Sequence, residues 1–298
     1  MKKQLAFIIP YFGRWPEWID LFIESCKYNP QIDWIFFTDC EIPANTSENC
    51  IFNKITFDEY KKLVSDKLEI DFNPDNAYKL CDLKPTYGFI HKDILTNYKF
   101  FGFGDLDIIW GDIDKFLDKL IFEKYDFITT HNNRIGGHFC ALRNNEMMRN
   151  AFRQIKNWQS LLENKQHLGI DESKFTKVFL KHRKHPKWLR KIYGLFDKYQ
   201  RRTYFKEQYS TIMSPIKWWN GKIEHPTEWI WKKGKLTNSE DGNKEFMYLH
   251  FMNYKSSMWL PKELKQKAPW ENLDKLNFVD FEDINAGFKI NKAGFYKI

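Results

Sequence analysis

The stretch Phe101-Gly-Phe-Gly-Asp105-Leu-Asp107-Ile-Ile-Trp110-Gly-Asp112 organises the reading of this chain. The run from Tyr98 to Phe103 is aromatic and apolar and predicts a buried strand. Two carboxylates, Asp105 and Asp107, follow a glycine directly. Residues two apart on an extended chain point to the same side. Both carboxylates are therefore expected to face one point at the end of a central strand, with Leu106 turned into the core. A hard divalent cation prefers oxygen ligands in such a place. A polar turn closing a strand accounts for the same string.

The chain upstream supplies the frame. Leu5 to Pro10 predicts a first strand, Glu17 to Tyr28 a helix, and Trp34 to Thr38 a second strand. Strand, helix, strand implies a parallel pair with a right-handed crossover. Ligands of such sheets sit beyond the carboxyl ends of the strands. Tyr11 to Arg14, Thr38 and Asp39 fall there. Cys50 to Thr56 predicts a third strand and Phe57 to Leu68 a helix. Near Lys79 or Asp82 a further helix is expected to start, with Pro85 suited to its first turn. Lys79 and Lys84 beside a helix N-terminus would suit a phosphate; equally, they suit the solvated face of an amphipathic helix.

Downstream, Ile113 to Phe122 and Glu146 to Leu162 read as helices and Tyr125 to Thr130 as a strand. The pair Gly136-Gly137 lets backbone approach a ligand closely. Gly169 precedes a helix start at which Asp171 and Glu172 serve as cap and dipole complements. Tyr248 to Phe251 predicts a strand presenting His250 near its end. The tail from Asn272 reads as a hairpin or a loose extension.

Composition adds bounds. A chain of 298 residues with 43% hydrophobic content fits one large α/β domain or two small ones. Five scattered cysteines, an odd number without finger spacing, point to a reducing compartment. The apolar N-terminal run stops at Pro10, which favours a strand over a signal peptide. Eleven basic residues and one acid give Lys177 to Lys206 a charge of +10, so the rest of the chain carries −2 of the overall +8. Trp188, Leu189, Ile192, Tyr193, Leu195, Phe196 and Tyr199 recur there near helical spacing. An anionic membrane surface, nucleic acid and plain solvent are the three partners such a helix admits.

The order of strand, Asp-x-Asp, Gly-Gly-His-Phe, Asp-Glu and a late His-Phe resembles metal-dependent glycosyltransferases of the GT-A fold. The strings Tyr78-Lys-Leu-Cys-Asp82-Leu-Lys84-Pro85-Thr-Tyr-Gly88, Gly104-Asp-Leu-Asp107, Gly111-Asp112, Gly137-His-Phe139, Arg143-Asn144 and Leu249-His-Phe251 resemble, more narrowly, an uncharacterised bacterial family. That family is known as a domain of unknown function and is often linked to surface polysaccharide gene clusters. The likeness spans about residues 1–175 and 245–258.

The resemblance implies a Rossmann-like GT-A fold, with a mixed, mostly parallel sheet flanked by helices. With it the chain divides into a core in 1–176, a basic helical insertion in 177–206, completion of the core in 207–260 and an extension in 261–298, the insertion and the extension lying outside the likeness. Asp105 and Asp107 would hold Mn²⁺ or Mg²⁺ against a UDP-sugar, with His250 as third ligand. Lys255 would neutralise the diphosphate. Pro10, Tyr11 and Asp39 would meet the nucleoside; Lys79, Asp82, Lys84, Gly137 and His138 would meet the rest of the donor. Asp171 and Glu172 would lie beside the reacting carbon, in catalytic roles; Glu172 replaces a Gln of the resembling branch, which leaves nucleophile, base and acceptor contact open. The acceptor would be a glycan or a lipid-linked oligosaccharide. The expected location is cytoplasmic, peripheral on the inner leaflet through 177–206, with no nucleic acid bound. A metal-dependent phosphoesterase or nucleotidyltransferase, with Asp112 and Asp114 toward a second ion, and a non-catalytic membrane or nucleic-acid binding module are the rival readings.

Overall fold

A computed structural model describes residues 2–181, 185–260 and 267–298. Arg183 and Lys184 of the basic segment lie outside the described residues. The first strand, β1 (Lys3–Pro10), alternates its side chains between the two faces of a sheet: Leu5, Phe7 and Ile9 enter one apolar layer, Ala6 and Ile8 the other. Helix α1 (Ile19–Lys27) returns the chain to β2 (Ile32–Thr38), which is buried throughout. After β3 (Cys50–Lys54), helix α2 (Phe57–Leu68) opens on a capping box between Thr56 and Glu59.

Strand β4 (Tyr98–Gly104) and the short β5 (Ile108–Trp110) flank the Asp-x-Asp turn. Strands β6 (Phe127–Thr129), β7 (Phe139–Arg143) and β8 (Thr203–Phe205) finish a seven-stranded sheet of order β3-β2-β1-β4-β7-β6-β8. Strands β3, β2, β1 and β4 run parallel, β7 runs antiparallel to both β4 and β6, and β8 is parallel to β6. The fold is therefore mixed α/β with a mostly parallel central sheet. A second sheet of order β10-β9-β12-β13 joins β9 (Trp229–Lys232), β10 (Lys235–Asn238), β12 (Phe288–Asn291) and β13 (Gly294–Lys297). Between them in the chain, β11 (Tyr248–His250) pairs with β5, and its His250 also bridges to Thr211.

Several expected elements differ. The helix expected over Glu146 to Leu162 is three short pieces, Glu146–Arg149, Ala151–Gln154 and Trp158–Glu163. Asn157 in the left-handed region breaks it. The helix expected over Ile113 to Phe122 begins only at Lys119, where Asp118 accepts from the Ile121 N–H. Asp112 caps a turn, accepting from the Lys115 N–H at 3.3 Å. Of the two readings of the tail, the hairpin holds: β12 and β13 pair antiparallel, and β12 also pairs with β9. The expected insertion likewise ends in β8, an edge strand of the main sheet. No helix among the described residues is long and apolar enough to cross a membrane.

A run of tight helical turns from Ala77 to Ile90 replaces the single expected helix. It lies flush on the sheet. A Cβ on Gly88 would stand 2.3 Å from the Phe101 ring, itself fully buried. Gly88→Ala is expected to destabilise the protein by about 1–3 kcal/mol through overpacking. An unchanged urea midpoint would show that the turn is not seated on Phe101.

Candidate active site

Strand order and register build the site. The carboxyl ends of β1, β2 and β4 lie side by side because the three strands are parallel neighbours. Antiparallel β7 starts where β4 stops, with Gly104 opposite Phe139, so Gly137 and His138 fall beside Asp105. In the β11–β5 ladder His250 stands opposite Ile108, and the Phe251 N–H donates to the Asp107 carbonyl at 3.1 Å. One ligand atom each from Asp105, Asp107 and His250 lie within 4.8 Å of one another.

Each carboxylate in this group faces a lysine. Lys84 Nζ donates to Asp105 Oδ1 at 2.5 Å, and Lys255 Nζ to Asp107 Oδ2 at 2.8 Å. Asp107 Oδ1 lies 3.5 Å from His250 Nε2. Burial alone would raise the Asp107 carboxyl, but Lys255 and His250 outweigh it and hold its pKa well below the usual range. Burial likewise would depress the Lys84 ammonium; Asp105, Cys81 and Asp171 outweigh that and raise it.

A divalent cation suits these residues on two grounds. His250 Nε2 is buried and makes no hydrogen bond, an exception among buried polar groups. The Thr211 hydroxyl lies 3.2 Å from His250 Nδ1, a contact that orients the ring as second partners of ligating histidines do. With two carboxylates the donor set is mixed oxygen and nitrogen, which favours Mn²⁺ over Ca²⁺.

Lys84 links this group to the second acid pair. Its Nζ donates to the Gly137 carbonyl at 3.1 Å and lies 3.7 Å from Asp171 Oδ2. The chain reaches Asp171 through Gly169 at φ +63°, then a single π-helical turn, Ile170–Lys174. Glu172 Oε1 accepts from the Gly137 N–H at 2.7 Å. A Cβ on Gly137 would stand 2.8 Å from Asp171 Oδ2, so a larger residue there would have to push the Asp171 carboxylate aside. Burial, reinforced by Glu172 and Asp105, pushes Asp171 up to about 7 against the pull of Lys84.

Two residues expected at the donor lie inside the framework. Lys79 and Asp82 are fully buried and paired at 2.9 Å. Lys79 Nζ also donates to the carbonyls of Leu161 and Gln166. Asp82 accepts from the N–H groups of Leu168 and Ile170, and so holds the backbone that leads to Asp171. Neither residue has exposed surface.

His138, expected at the donor, is nearly without exposed surface. It is buried behind His250, stacked at 4.2 Å, with Nε2 2.8 Å from the Tyr248 hydroxyl. Burial first, then His250 and His131, keep its ring neutral. Pro10 and Tyr11 are partly exposed at the end of β1. Asp39, exposed, accepts from the Gly13 N–H at 2.8 Å.

Sequence reading missed Thr211, Tyr248 and Trp18. The Trp18 indole N–H donates to the Leu106 carbonyl at 2.9 Å and braces the Asp-x-Asp turn. Its place beside that turn comes from tertiary contact, for which the string around Trp18 carries no signal.

Lys79→Met would leave the Asp82 carboxylate buried without its lysine, at a cost of roughly 3–5 kcal/mol. A wild-type urea midpoint in this variant would contradict the buried pair. Asp171 gives a pH signature. Its folded pKa of about 7 lies above the ordinary aspartate value, so the folded chain keeps a proton that the unfolded chain releases. Stability from this group is lost as pH rises from about 4 to 7, at up to about 1.4 kcal/mol per pH unit. Unfolding of the metal-free protein across that window should show the slope, and Asp171→Asn should flatten it. Identical slopes in the two proteins would place the Asp171 carboxyl at its ordinary value.

Comparison with known proteins adds a family and weak structural likenesses. No curated protein matches. A galactosyltransferase, LgtC, solved with donor and acceptor sugar analogues, is 8% identical with a TM-score of 0.37, over 70% of this chain and 75% of that one. The glycosyltransferase GlyE of Streptococcus pneumoniae TIGR4 is 9% identical with a TM-score of 0.35, over 70% of this chain and 46% of that one. Mouse xyloside xylosyltransferase 1 is 11% identical with a TM-score of 0.33, over 68% and 93%. Residues 7–275 match the model of a family of unknown function (DUF6625), and the chain belongs to that family.

Proposed function

We propose that this protein is a metal-dependent glycosyltransferase that moves a hexose from a nucleoside diphosphate, UDP first, to a glycan or lipid-linked acceptor. The setting we propose is the cytoplasmic synthesis of a bacterial surface polysaccharide. The observation that carries this reading is the convergence of Asp105, Asp107 and a His250 Nε2 that makes no hydrogen bond, at the carboxyl ends of the parallel strands.

Asp105, Asp107 and His250 would hold Mn²⁺, or Mg²⁺ in its place. A bound ion of this kind supplies Lewis-acid stabilisation of the leaving diphosphate. Lys255, beside Asp107, would balance charge gathering on that phosphate. Lys84 would do the same from the Asp105 side while fixing the Gly137 carbonyl. Pro10, Tyr11 and Asp39 would receive the nucleoside at the ends of β1 and β2. Asp171 and Glu172 stand across Lys84 from Asp105, where a carboxylate would stabilise an oxocarbenium-like sugar carbon. Gly137 leaves the space between them. The phosphoesterase reading needs a second ion site. Among the described residues, Asp112 and Asp114 do not join the metal-type group.

Thermal unfolding tests the proposal. UDP with Mn²⁺ should raise the midpoint by roughly 5 °C at ligand a hundredfold above Kd. Neither component alone should match it, and Asp107→Ala should abolish the joint shift. The absence of a shift with every nucleoside diphosphate would refute the reading.

A further inference from the structure

The basic segment carries a surface that the proposed chemistry does not use. Its two feet are pinned to the domain. Tyr199 is buried against Phe179, ring centroids 6.1 Å apart, and Lys181 Nζ pairs with Asp197 at 2.5 Å. Beyond the second foot, Arg202 pairs with Asp126 at 3.1 Å and the chain enters β8. Between the feet stands the helix Lys187–Phe196.

Trp188, Ile192, Leu195 and Phe196 follow the spacing i, i+4, i+7, i+8 and share one face of that helix. That face is turned to solvent: the four residues are 64%, 45%, 65% and 86% exposed. Clustered exposed apolar side chains of this size mark an interaction surface. The charge around them is one-sided. From Lys187 to Lys206 the sequence has seven Lys or Arg and one acid, Asp197.

From this pairing of features we infer that the helix Lys187–Phe196 docks flat on an anionic bilayer through Trp188, Ile192, Leu195 and Phe196. The inference goes beyond the glycosyltransferase reading and does not rest on it. An interfacial helix combines a wedge of Trp, Phe and Leu with flanking cations. The apolar face enters the boundary between headgroups and acyl chains, and the cations meet the negative surface potential. Nucleic acid would use the cations and leave the aliphatic face in water. A protein groove would use the apolar face and gain nothing particular from the excess positive charge. Ten residues of helix span only about 15 Å, so the element lies on the membrane and does not cross it.

Sedimentation of the full chain with vesicles is the test, using phosphatidylcholine alone and phosphatidylcholine with added phosphatidylglycerol. Binding to the anionic vesicles should exceed binding to neutral ones by at least about tenfold. Replacing the face (Trp188→Ser, Ile192→Ser, Leu195→Ser, Phe196→Ser) should weaken anionic binding by at least about tenfold. Lys198→Gln with Arg201→Gln should narrow the preference for anionic lipid several-fold. The apolar and charge variants should keep the wild-type thermal midpoint; if the first unfolds, the second alone decides. Equal binding to both vesicle types, no binding, or an apolar-face variant that binds like wild type would overturn the proposal. So would tighter binding to single-stranded RNA than to anionic vesicles, or a dimer that the serine substitutions dissociate.

Discussion

Carboxylates gathered at one point repel each other unless cations stand among them, and this balance governs the strand ends of the fold. Asp107 is buried, so its charge requires a partner. Lys255 supplies one, from a short helix that follows β11. Asp105 is answered by Lys84, from the turns packed on β4, and Lys84 in turn lies near Asp171. Four stretches of chain are thereby tied through one set of charges. Removing Lys255 leaves Asp107 short of its cation in a low-dielectric setting.

A second, fully buried pair stands behind the first. Lys79 and Asp82 take no part at the surface, yet Asp82 accepts the N–H groups of Leu168 and Ile170 and so sets where Asp171 sits. The resembling motif runs through both layers. Its lysine at 84 reaches the site, while its lysine at 79 and aspartate at 82 hold the backbone. A motif expected to form one row at the site is here split between Lys84, which pairs with Asp105, and Lys79 and Asp82, which are buried behind it. The division follows from the tight turns between Ala77 and Ile90, which send Lys79 inward and carry Lys84 toward Asp105.

The histidines divide in the same way. His250 turns Nε2 toward Asp107, and His138 stacks behind it with its ring held neutral by burial. His131 forms the next layer, with Nδ1 2.9 Å from Glu207 just past β8. The edge strand supplied by the basic segment therefore supports the site from behind, while the helix ahead of it faces solvent. One continuous stretch serves both the core and the surface.

What the sequence determined by itself is local in origin. Alternation and apolar runs set β1, β2 and β4, and the Asp-x-Asp spacing put two carboxylates at one strand end with Leu106 turned into the core. These features depend on neighbours a few residues apart. The break of the helix at Asn157 and the late start at Lys119 were hidden because both segments keep helical apolar spacing, while backbone strain and capping decide where a helix ends. Tertiary structure alone decided the rest. The β11–β5 ladder brings His250 to Asp107, separate tertiary contacts bring Thr211 to His250 and Trp18 to Leu106, and burial separates Lys79 from Lys84. Such pairings join distant parts of the chain through strand register and packing, which no short window of sequence contains.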